Sequence, residues 1–121
     1  MVINPELVEF IRDYLSRTQK AVNSYKELAI EYGGEYSDAY RHIYNEYEMC
    51  NRVWHILFES NSRQGAWDAM TREEQIWCTW MVNHAKAEHH FTQVGWVNHE
   101  LEYHQQMQIL LAERDKALEE L

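Results

Sequence analysis

Proline occurs once and glycine four times in 121 residues. That leaves little material for the turns that a β-sandwich or barrel places about every 8–12 residues, whereas long helices tolerate few of either residue. Cysteine is also scarce: Cys50 and Cys78 lack the CxxC spacing of zinc or redox motifs. Two such residues make a poor disulfide framework, so both are expected as thiols. No stretch approaches the roughly 20 apolar residues of a membrane span. Met1-Val2-Ile3-Asn4-Pro5 reads as the approach to a helix rather than as a secretory signal, so the expected location is the cytoplasm. Basic residues are outnumbered, 11 Lys and Arg against 20 Asp and Glu, for a formal charge of −9. Phosphate-binding surfaces depend on Lys and Arg, so neither direct nucleic-acid binding nor an anionic membrane is expected. Gly-rich phosphate loops, GxSxG elbows and Walker motifs do not occur.

What is present is helical periodicity over a hydrophobic fraction of 45%. Asn4 is placed as an N-cap, Pro5 at the first helical position and Gly33-Gly34 as a stop. Between them Leu7, Ile11, Tyr14, Thr18, Ala21, Tyr25, Leu28 and Tyr32 alternate spacings of four and three, a heptad-like seam. A second helix is expected from an N-cap at Ser37 to about Asn61, with the seam Tyr40, Ile43, Tyr47, Cys50, Trp54 and Leu57. Cys50 sits on that seam as a small core residue, and Cys78 lies off its own. Ser60–Gly65 reads as a loop, and Thr71-Arg72-Glu73-Glu74 as a capping box that opens a third helix.

The inward face of that helix is Ile76, Trp77, Trp80, His84, Ala87, Phe91 and Val94. Further on, the apolar face around Met107, Leu110, Leu111, Arg114, Leu118 and Leu121 is rotated from it by roughly 140° at 100° per residue. A single straight helix would then need two cores. A break at Gly95 with a restart at Asn98 as N-cap removes the conflict. The reading is an all-α antiparallel bundle forming a single domain over residues 1–121, with four helices preferred. The alternative is three helices ending in one long C-terminal helix.

Seven histidines among many carboxylates call for a metal test, because i,i+4 spacing puts two ligands on one helix face. His42/Glu46, His55/Glu59 and His84/Glu88 have that spacing, and Glu100/His104 has the reverse order. The HxxxE pairs resemble part of a hemerythrin pattern, but the first helix has no histidine, the third no HxxxH, and the chain no ExxH. By helical angle His42, His55 and His89 face solvent and only His84 points inward, where a hydrogen bond to Glu88 or to a core tyrosine accounts for it. No cofactor or metal is therefore expected. The rival reading is a metal-binding bundle using His84, Glu88, His55, Glu59, His99 and Glu100.

Met49, Val53 and Ile56 form a second apolar stripe on the back of helix two, so that helix is either central or covered by a partner. Trp67 and Trp96 sit at chain connections, where an aromatic ring either closes the bundle or anchors a partner. These five residues are the expected partner-binding set. The expected role is that of a non-catalytic acidic inhibitor or adaptor that binds another protein or itself, with a homodimer plausible. Small antagonists of host defence enzymes encoded by phages or mobile elements share this size and charge. A structural homo-oligomer is the third reading. From Glu27 to Glu48 the chain is markedly acidic, with Arg41 as its sole base.

Overall fold

A computed structural model describes residues 3–59 and 63–121, and among them the chain is all helix and turn. The order is α1 (Pro5–Tyr32), α2 (Glu35–Glu59), a short α3 (Arg63–Ala69), α4 (Arg72–Val94) and α5 (Trp96–Glu119). The four long helices of the preferred reading are present, and the chain reverses at Gly95. None of the helices is long and apolar enough to cross a membrane, among the described residues.

The helix boundaries follow local chemistry. Pro5 occupies the first turn of α1, and Asn4 precedes it in extended conformation without a side-chain capping bond. Gly33 and Gly34, at φ 64° and 53°, turn the chain into α2. Thr71 and Glu74 cap each other reciprocally, with Glu74 N–H to Thr71 Oγ1 at 3.1 Å and Thr71 N–H to Glu74 Oε1 at 2.8 Å.

Three expected boundaries move. α2 begins at Glu35, because Tyr36 N–H and Ser37 N–H already donate to Gly33 O and Gly34 O, which leaves Ser37 inside the helix instead of capping it. α5 begins directly after Gly95, at Trp96, and bends at His99 (φ −129°, ψ 17°), so Asn98 precedes a kink and is no N-cap. Arg63–Gly65, read as loop, starts α3; Ser60, Asn61 and Ser62 lie outside the described residues.

α4 is the central helix. It packs against α1, α2 and α5, and twelve of its 23 residues are buried, including Cys78, Met81, Val82 and Ala85 off the expected inward face. Cys78 is thus a core residue, against the expectation from its angle. α2 packs against α1, α3 and α4, which answers what covers its second stripe. Met49 and Val53 are buried inside the single chain and Ile56 packs on the same core. The stripe of Met49, Val53 and Ile56 therefore leaves no surplus apolar surface for a partner.

Burial along the α1–α2 hairpin is uneven. On α1 the buried residues run from Leu7 to Val22, and on α2 from Met49 to Leu57. From residue 23 to residue 48 no residue is buried. The seam continues there through Tyr25, Leu28, Tyr40, Ile43 and Tyr47, but each is only half-buried, as in any seam that two helices share without a third. Beyond Val22 α1 continues for ten residues, about 15 Å at 1.5 Å per residue. The distal half of the hairpin is a two-helix arm.

Candidate functional site

The interior of the bundle holds a polar cluster built from side chains far apart in sequence. Trp80 Nε1–H donates to the Tyr14 hydroxyl at 2.9 Å, and that hydroxyl donates to Glu46 Oε1 at 2.7 Å. Arg114 Nη1 donates to the same Glu46 oxygen at 3.1 Å while its guanidinium lies 4.6 Å from the Trp80 ring centroid and 5.1 Å from that of Trp77. Four helices are thereby tied through one carboxylate. Burial, with the nearby Cys50 and Glu46 adding to it, pushes the Tyr14 phenol well above its ordinary range.

His84 adjoins this cluster, its ring centroid 4.7 Å from that of Tyr14 and 5.3 Å from that of Trp80. Its Nδ1 lies 3.0 Å from Glu88 Oε1, yet the direction is wrong for a hydrogen bond and the nitrogen is left without a partner. Glu88 is held instead by Arg17, which also contacts Asp13 at 2.9 Å. Burial first, and the Arg17 charge second, lower the His84 pKa to about 4, so the ring is neutral at pH 7.

Neither thiol is poised for attack. Cys50 and Cys78 are both fully buried, and desolvation is the largest cause pushing each up to about 12. A thiol of that pKa carries almost no thiolate near neutral pH.

The rival metal set is not assembled. His55 pairs with Glu59 at 2.8 Å on the exposed surface, His99 with Glu102 at 3.1 Å, and Glu100 lies 3.8 Å from His104. Among the described residues no three His, Cys, Asp or Glu side chains converge on a point that could hold an ion. His42 and His55 are exposed as expected. His89 departs from expectation: it is half-buried, edge-on to Phe10 at 5.4 Å and 3.4 Å from Glu6.

Of the two connection tryptophans, Trp67 is half-buried against the core and its carbonyl accepts from Gln75 Nε2 at 3.1 Å, closing the bundle at α3. Trp96 is 38% exposed, packs edge-on to Tyr103 at 4.6 Å, and adjoins the exposed Val97.

The arm departs from an ordinary surface in its tyrosine content. It carries six of the eight tyrosines and six carboxylates against Lys26 and Arg41. Ile30, Tyr32, Tyr36 and Tyr44 are exposed by 78%, 65%, 40% and 44%. Rings pair along it, Tyr32 with Tyr36 at 5.7 Å and Tyr40 with Tyr44 at 5.8 Å. The Glu48 carboxylate beside Tyr44 raises the pKa of its phenol. Sequence periodicity hid this surface, because these tyrosines fall on or beside a seam that reads as core. The clue available was the acidic run over the same residues.

No protein-family model matches the chain, and no match is found among curated proteins or among solved structures.

Proposed function

We propose that this chain is a non-catalytic binding protein, an acidic helical inhibitor or adaptor, whose contact element is the α1–α2 arm. The observation that carries this reading is that residues 23–48 include no buried residue while carrying most of the tyrosine of the molecule. Tyrosine contributes a large rigid surface with few torsions to freeze, and for that reason it dominates protein-binding surfaces. Two adjoining helices hold these rings at fixed spacing, which lowers the ordering cost of association.

The interior supports the non-catalytic part. The carboxylate of Glu46 is engaged by Tyr14 and Arg114, that of Glu88 by Arg17, and both thiols are enclosed. The partner-binding set expected from sequence therefore shifts outward, from Met49, Val53 and Ile56 to Ile30, Tyr32, Tyr36 and Tyr44. A homodimer through helix two loses its basis, since the stripe that suggested it faces the interior.

Affinity capture from cells with the tagged full chain tests the proposal. A protein captured by the parent should be lost with Tyr32→Ser/Tyr36→Ser/Tyr44→Ser and retained with Val97→Ser/Leu101→Ser, which alters exposed apolar residues on α5. Circular dichroism should show both variants folded, as all five side chains are exposed. Retention by the arm variant and loss by the α5 variant would move the binding face to α5.

A further inference from the structure

The partner's chemistry is encoded in how rings and carboxylates alternate on the arm. Elsewhere this molecule holds arginine by a combination of the two. Arg114 lies between the Glu46 carboxylate and the Trp77 and Trp80 rings. Arg12 repeats the pattern, 2.9 Å from Glu9 Oε1 and 5.7 Å from the Trp54 ring centroid. A guanidinium suits such sites because its flat face stacks on an aromatic ring while its edge donates two parallel bonds to a carboxylate. An ammonium does the second only as a point charge.

On the arm Glu46 is taken by Arg114 and Asp38 by Arg41, and the remaining carboxylates lie beside rings with no arginine ion pair of their own among the described residues. Tyr32 and Tyr36 are flanked in sequence by Glu31 and Glu35, and Tyr44 has Glu48 four residues on, one helical turn away. Arg41 is already paired with Asp38. A second copy of the arm would bring a like charge, since Glu27 to Glu48 carries six acids and one base. That charge disfavours self-association here and favours a basic occupant.

Resting on the reading of the arm as the contact element, we infer that it docks a surface of another protein bearing clustered arginines. Each guanidinium stacks on a tyrosine ring of the Tyr32/Tyr36 or Tyr40/Tyr44 pair and bonds a neighbouring carboxylate.

Fluorescence anisotropy of the full chain with labelled nona-arginine and nona-lysine peptides, at near-physiological salt, tests this. Equal charge on the two peptides leaves stacking and bidentate bonding as the difference between them, and at exposed sites the stacking part corresponds to about two- to fivefold per contact. The parent should bind nona-arginine at least about threefold more tightly than nona-lysine. Tyr32→Leu/Tyr36→Leu should reduce that preference, and Tyr32→Phe/Tyr36→Phe should keep it. Glu31→Gln/Glu35→Gln should weaken both peptides, and Glu119→Gln/Glu120→Gln, with the same charge removed from the end of the chain, should leave the preference intact. Equal affinities of the parent for the two peptides would overturn the inference, as would an equal loss in the Glu119/Glu120 variant. If the arm still governs capture of a cellular protein while the parent shows no arginine preference, the contact role stands and the arginine assignment falls.

Discussion

Acidification from pH 7 to 4.5 interrogates one side chain at the centre of the bundle. His84 is packed against the rings of Tyr14 and Trp80, with Arg17 nearby and its Nδ1 without a hydrogen bond. Glu88 is the neighbouring carboxylate, but Arg17 binds it, and Asp13 lies beyond Arg17 and opposes the lowering only weakly. Desolvation therefore decides, and the folded ring titrates at about 4. In the unfolded chain a histidine titrates near 6.5. Between those values the unfolded state binds a proton that the folded state refuses, so stability is highest above pH 6.5 and falls as pH drops toward 4. At roughly 1.4 kcal/mol per pH unit the full loss approaches about 3 kcal/mol, or roughly 10 °C in Tm for a chain of this size.

Carboxylates titrate in the same range, so the measurement is a comparison with His84→Leu. At pH 7 that variant should lie within about 1 kcal/mol of the parent, since it removes a buried polar atom that has no partner. Urea unfolding in steps from pH 7 to 4.5 should then show the parent losing at least about 2 kcal/mol relative to the variant. Parallel profiles would mean that His84 titrates alike in the folded and unfolded chain, contrary to the burial argument. A parent that gains on the variant with acidification would mean that the Glu88 carboxylate, 3.0 Å away, outweighs burial.

Three further outcomes are expected. Gly95 has φ 98° with open space where a Cβ would sit, so Gly95→Ala and Gly95→Val should both lower stability by about 1 kcal/mol or more through backbone strain alone, measured by thermal melts. Glu46→Ala strips the acceptor from both Tyr14 and Arg114 and should cost about 2 kcal/mol or more, and Tyr14→Phe about 1 kcal/mol. The double variant Glu46→Ala/Arg114→Ala should cost less than the two single changes together, by denaturant titration. Cys50 and Cys78 should resist iodoacetamide in the native chain at pH 8 and react in urea, as mass spectrometry would show, because both thiols are buried and raised to about 12.

Local chemistry along the chain is enough to set the class and the punctuation of this protein. Scarcity of proline and glycine, a capping box at Thr71, and glycines at 33, 34 and 95 act over a few residues, so their effect survives whatever the rest of the chain does. The reversal at Gly95 was legible because two apolar faces on one rigid helix rotate by a calculable angle. The inward orientation of His84 followed from the same arithmetic.

Tertiary structure alone decided what covers each face. Periodicity marks Met49, Val53 and Ile56 as apolar but is silent on the neighbours, which are the helices packed on α2: α1, α3 and α4. α3 is a single short helix with Gly65 inside it, too brief to display a period. The Glu46–Arg114 contact joins positions 68 apart, which no local rule reaches. The arm makes the same point in reverse: Tyr25 and Tyr40 lie on the same seam as Leu7 and Leu57, and their patterns are indistinguishable. Only the placement of the other helices leaves one half of that hairpin enclosed and the other half without a buried residue, because burial belongs to the packed layers and not to the strand of sequence that enters them.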